Sequence, residues 1–136
     1  MGASRHTILA LALLLAAAGC VDEETREVAG SDLFLRYCAS CHGADATGNG
    51  PLAGALKRPP ADLTALAKRS GGRFDEGPVM ATIDGRRLVS EHGSREMPVW
   101  GTLFEEEHEG QPFQAYAGLL QSRALVDYLR SIQVTE

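Results

Sequence analysis

The chain has 136 residues, 13 Lys+Arg against 18 Asp+Glu, a formal charge of −5, and 44% hydrophobic with 23% charged residues. That length holds one domain of ordinary globular balance, and the acidic charge excludes a nucleic-acid binder, which would show a basic face. Four Phe, three Tyr and one Trp are few rings for a dense core, so something besides the chain's own aromatics is expected to fill its middle.

Residues 1–6 carry Arg5 and His6 and no acid, and Ile8 to Ala18 is an unbroken apolar run of 11 residues. A transmembrane helix needs about 20, so the run reads as the apolar part of an export signal. Ala17-Ala18-Gly19-Cys20 follows. Small residues before a Cys resemble the bacterial lipoprotein cleavage box, which implies cleavage after residue 19 and a lipid on Cys20; an incidental Cys20 beside ordinary signal cleavage, or an uncleaved anchor, are the alternatives. Export places the remainder in an oxidising compartment. Residues 20–27 read as the lipidated Cys and an acidic tether, and 28–136 as the folded domain.

A first helix is expected over Val28 to Tyr37, with Phe34 on its buried side. Gly43 to Gly50 is a turn-rich loop, and Arg58-Pro59-Pro60 is extended because proline blocks helix continuation. Asp62 is placed to cap a short helix through about Lys68, ended by Gly71-Gly72. Asp75 is placed to cap another, with Pro78 in its first turn, Gly85 past its end and Val79, Met80 and Ile83 as its apolar stripe. Gln114 to Ile132 is the clearest helix: Leu120, Ala124, Leu125, Tyr128, Leu129 and Ile132 recur at spacings of three and four. No stretch alternates with period two and no repeat is present, so the fold is mostly helical with long loops, which need something to pack on.

Lys57 to Arg95 holds eight basic and five acidic residues, whereas Glu96 to Glu109 holds five acids and no Lys or Arg. Glu105-Glu106-Glu107-His108-Glu109 reads as a solvated loop or as a docking patch for a basic partner.

Cys38-Ala39-Ser40-Cys41-His42 decides the chemistry. Two thiols three apart share one side of a helical turn, each able to add to one vinyl group of a haem, and His42 then lies under the iron. That order reads as c-type haem attachment. A redox dithiol usually sits in a βαβ context, which is absent, and structural zinc wants four ligands. For the iron's other axial position the candidates are Met97, Met80, His92, His108 and His6, the last removed with the signal. Met97 fits best: it sits in Arg95-Glu96-Met97-Pro98-Val99-Trp100-Gly101, irregular chain stiffened by Pro98. Met80 reads as a core filler on an amphipathic stripe. A Met/His pair raises the iron's potential, and two protein ligands close the iron to substrate.

These residues resemble the class I cytochromes c, small bacterial monohaem electron carriers, over about Val28 to Gln133. The resemblance implies an all-α fold of three to five helices with long loops around one covalent haem c, held by Cys38 and Cys41 and ligated by His42 and Met97. Gly50-Pro51 stands nine residues past His42, and the resemblance implies that the Pro51 carbonyl accepts the His42 ring N–H. It also implies that the first and last helices cross near a right angle, with Gly30 allowing close approach, Phe34 one turn on, and Leu125 and Tyr128 on the partner face. Thr102 to Ala117 departs from the shortest members as an inserted acidic, Gly/Pro-containing stretch.

The expected protein is a lipid-anchored monomer on the periplasmic face of a bacterial membrane. It is an electron carrier and not an enzyme, shuttling single electrons between a quinol-oxidising complex and a terminal oxidase or reductase. An exported haem-based gas sensor and a fixed cytochrome subunit of one respiratory complex are the rival expectations.

Overall fold

The computed structural model describes residues 23–87 and 97–134. The expected export segment, His6, Cys20 and His92 lie outside the described residues. Six α-helices, one 3-10 turn at Ala53–Ala55 and no strand occur among them. The helices are α1 (Glu23–Tyr37), α2 (Ala39–His42), α3 (Leu66–Arg69), α4 (Glu76–Ile83), α5 (Trp100–Glu107) and α6 (Gln114–Ser131). The all-α expectation holds.

α1 and α6 form the frame, and their contact is set by Gly30. A β-carbon at that position would lie 2.1 Å from the Ala124 carbonyl oxygen and 2.7 Å from Tyr128 Cβ. A mid-helix glycine costs about 1 kcal/mol in propensity; here it lets two backbones touch. One turn on, the fully buried Phe34 meets the Tyr128 ring at 5.3 Å. Leu125, Val126 and Leu129 of α6 are buried, and Ile83 of α4 and Phe104 of α5 complete the core. Each such side chain contributes about 2 kcal/mol when fully withdrawn from water.

α4 is tied to α6 by charge. Glu76 pairs with Arg123 at 2.7 Å and also with Arg130. Both guanidinium groups reach back to Asp127, whose side chain is 1% exposed, at 3.0 and 3.2 Å from Oδ1. These are charge contacts at poor hydrogen-bond angles, while Arg123 Nε donates to Oδ2 at 3.2 Å. A buried carboxylate is tolerable only with such company.

The helix boundaries depart from expectation in four places. α1 begins at Glu23 instead of Val28. α5 takes in Trp100-Gly101, expected as irregular chain, and Glu105 to Glu107, expected as a solvated loop or docking patch, because Trp100 and Phe104, four apart, give it an inward face. Asp62 does not cap α3, which starts at Leu66 with Ala65 before it; its carboxylate accepts from the Thr64 amide at 2.9 Å and hydroxyl at 2.6 Å in a local turn. Asp75 stands at the N-cap position of α4 but makes no side-chain cap bond.

Candidate functional site

Tyr37 ends α1, and the Cys38 amide still donates to the Phe34 carbonyl at 2.9 Å. The helical path therefore runs almost unbroken into α2, and Cys38, Cys41 and His42 share one turn. Three carbonyls at the end of α2 have no intrahelical partner, and the following loop satisfies them. Leu52, Gly50 and Gly48 amides donate to the Ser40, Cys41 and His42 carbonyls at 2.9, 3.1 and 2.7 Å. Gly50 is required by this approach, since a β-carbon there would sit 2.6 Å from the Cys41 carbonyl. Asp45 braces the loop by accepting from the Thr47 amide and hydroxyl and from Asn49. These hydrogen bonds hold its carboxyl below the usual range, the Thr47 amide contributing most.

The His42 ring is oriented by a backbone group. Its Nδ1 lies 3.0 Å from the Ala61 carbonyl oxygen. A carbonyl only accepts, so Nδ1 carries the hydrogen and Nε2 is the ring nitrogen with the lone pair. This corrects the expectation for Pro51. That residue is exposed, because the flanking amides of Gly50 and Leu52 turn inward to α2 and leave Pro51 on the outside of the turn. The chain comes back to the ring ten residues later, after Pro59-Pro60.

Cys38, Cys41 and His42 line one open cleft. Met97, Pro98 and Trp100 line the same cleft from the far part of the chain, with Leu56 and Pro60 adding apolar wall. Tyr37 and Arg58 complete it. Met97 thus joins the cysteine–histidine turn, 55 residues away in the chain. Met80 packs against the hydrophobic core instead, and His108 stands at the end of α5, outside the cleft lining.

The chain leaving Met97 is held by two close approaches. A β-carbon on Gly85, which has φ of +74°, would strike Val99 at 2.6 Å, and one on Gly101 would meet Asp84 Cβ at 2.8 Å. The end of α4 and the start of α5 are therefore in contact, which fixes where the Met97-Pro98-Val99 segment begins its run into α5.

Both cleft cysteines are unpaired thiols. Burial, and secondarily the neighbouring Cys41, push the Cys38 thiol up to about 12.

Ala61, Tyr37, Trp100 and Arg58 are the parts of this site that sequence reasoning missed. A backbone carbonyl has no residue signature, but Tyr37 and Trp100 had one available: they adjoin Cys38 and the Met97-Pro98 segment.

No curated protein and no solved structure matches the chain. Residues 25–110 match the family described as cytochrome c oxidase, cbb3-type, subunit III. The match covers more than half of the chain and spans the cysteine–histidine turn, the Ala61 turn, Met97 and α5 together. The chain belongs to that family, and its helical domain is a c-type cytochrome domain whose work is haem-based electron transfer.

Proposed function

We propose that this protein carries one haem c, joined through thioether bonds from Cys38 and Cys41 and ligated by His42 Nε2 and Met97 Sδ, and that it passes single electrons between respiratory partners. The observation that carries the reading is the single cleft lined by Cys38, Cys41, His42 and Met97, with the His42 tautomer set by Ala61.

The residues fit the group. Two thiols stand one helical turn apart, an imidazole offers its Nε2, a thioether lines the same space, and most of the remaining wall is apolar. Haem held there supplies a one-electron iron couple. The protein's part is to orient and tune. The Ala61 carbonyl fixes the His42 ring and raises its basicity. The Met97 thioether and the apolar wall favour the reduced state. Two protein ligands leave no position for a substrate, so the domain moves electrons and makes no bonds.

Residues 1–19 act as an export signal in this reading, and a lipid on Cys20 anchors the domain to the periplasmic face of a bacterial membrane. Partners are redox proteins of a respiratory chain, met through small and brief contacts. The family's description as an oxidase subunit favours a second reading, in which the cytochrome is fixed wiring in one complex. Purification of the full chain in mild detergent separates the two: a stoichiometric oxidase companion supports the fixed subunit, and an isolated monomer supports the shuttle.

The test of the ligand set is optical. The full chain is matured with haem-attachment machinery, and spectra are recorded with and without carbon monoxide for wild type and Met97→Ala. A low-spin wild type with the Met–ferric charge-transfer band, inert to carbon monoxide and opened by the mutation, is expected. A wild type that binds carbon monoxide avidly, unchanged by the mutation, removes Met97 and favours a gas sensor.

A further inference from the structure

Tyr37 and Glu107 are 70 residues apart and hydrogen-bonded, the Tyr37 hydroxyl donating to Glu107 Oε1. Tyr37 adjoins Cys38 and lines the cleft. Its ring meets Trp100 at 5.4 Å and Phe104 at 5.5 Å in tilted and edge-on geometry. Trp100, Phe104 and Glu107 are the first, fifth and eighth residues of α5, and spacings of four and three put them on one helix face. One tyrosine is therefore gripped along the whole length of that helix.

α5 starts three residues after Met97. Its first turn is seated on the end of α4 through Gly101 and Asp84, and its middle is buried through Phe104. Its last turn has two ties through Glu107: Tyr37 of α1, and Gln121 of α6, whose Nε2 donates to Oε2 at 3.4 Å. α5 thus links the Tyr37–Glu107 contact at its last turn to the Met97-Pro98-Val99 segment before its first.

Resting on the ligand set proposed above, we infer that the Tyr37–Glu107 hydrogen bond is a latch that holds Met97 in its ligating position and keeps the sixth coordination site closed. Tyr37 is a positioning residue in this scheme and acts on the iron through α5. The bond keeps its own partners in the required states: it raises the Tyr37 hydroxyl above its ordinary range and lowers the Glu107 carboxyl, so donor and acceptor persist through neutral pH.

The experiment measures the rate at which imidazole displaces the methionine from the ferric holoprotein, in wild type, Tyr37→Phe, Glu107→Ala and the double variant. Tyr37→Phe keeps the ring and its aromatic contacts. The expected result is about five- to tenfold faster exchange in Tyr37→Phe, the order expected for losing one hydrogen bond, at least as much in Glu107→Ala, which also loses Gln121, and a double variant no faster than Glu107→Ala. Glu107→Ala stands outside the cleft and reports on the latch if the tyrosine variant matures poorly. Leu129→Val, a core change on α6, controls for general destabilisation and is expected to exchange at the wild-type rate. Wild-type exchange in Tyr37→Phe and Glu107→Ala, with Met97→Ala opening the iron, overturns the latch and leaves the ligand set standing. An iron that Met97→Ala fails to open overturns both.

Discussion

Gly30 and Ala124 are in backbone contact: the space for a β-carbon on Gly30 is already held by the Ala124 carbonyl oxygen, 2.1 Å away. α1 presents Cys38 from its end and α6 runs beneath it, so this contact sets the height of the cysteine–histidine turn above the core. The neighbour is backbone and cannot swing aside. Gly30→Ala gains about 1 kcal/mol of helix propensity, but overpacking of this kind costs typically about 1–3 kcal/mol and more where backbone must move. The expected outcome is a net loss of about 2 kcal/mol and a lower thermal midpoint. A variant as stable as wild type would show that α1 and α6 separate freely.

The second prediction concerns the ring partner of His42. Gly48 has φ of +90°, and a β-carbon there would lie 2.4 Å from the Pro60 carbonyl oxygen. Gly48→Ala therefore pushes on the Pro60–Ala61 peptide and stretches the His42–Ala61 hydrogen bond. A less basic imidazole stabilises ferric iron less, so the reduction potential is expected to rise. Pro51→Ala, at an exposed turn, is expected to leave the potential unchanged. Potentiometry on the two holoproteins decides: a shift for Pro51→Ala and none for Gly48→Ala would return the role to Pro51.

The contrast between Pro51 and Ala61 shows what a sequence hides. Cys38, Cys41 and His42 are legible because the proposed attachment needs those residues within five consecutive positions. α1, α4 and α6 are legible because their apolar residues recur at helical spacing, and Asp75 and Gly85 mark the ends of α4. The acceptor for His42 is a main-chain carbonyl, delivered by the path of the loop, and any residue type could supply it. α5 is obscured for another reason. Its Glu105-Glu106-Glu107 run reads as solvated chain, and its inward face consists of Trp100 and Phe104 beside exposed Leu103. Only the rings of Tyr37 and the wall of α6 show that this face has something to pack on. The start of α1 is obscured similarly, because Glu23 to Glu27 carries too little apolar pattern to mark a helix that simply continues α1 toward its N-terminus.

The third prediction is a pH profile for the latch. Glu107 has its pKa lowered from an ordinary value of 4.5, first by the Tyr37 hydrogen bond. The folded state therefore binds that proton less tightly than the unfolded chain, so the contribution is present above 4.5 and is lost as pH falls through the folded value. Tyr37 has its pKa raised from 10.0, again first by this hydrogen bond. Its contribution is present below 10.0 and is lost as pH rises through the folded value. Stability from this pair should form a plateau between the two limits. Chemical denaturation across pH is expected to show both flanks in wild type and weaker flanks in Tyr37→Phe. Identical profiles would mean that solvent screening cancels the pair.

The last prediction concerns encounter with a partner. Glu105, Glu106 and Glu107 of α5, with Glu109 just beyond it, are exposed, and α5 itself contains no Lys or Arg. Trp100, at the other end of the same helix, lines the cleft, so a partner drawn to the acidic end arrives close to the electron-transfer site. Charge of this kind steers the approach more than it holds the complex, and it is screened over about 10 Å at 0.1 M salt. Electron transfer to a basic redox protein, followed by stopped-flow, should therefore slow as ionic strength rises. Glu105→Gln with Glu106→Gln should lower the rate at low salt and flatten that dependence, while leaving the optical spectrum unchanged. A wild-type rate that does not respond to salt would mean that this acidic run is only a solvated helix end, with docking determined by other surface.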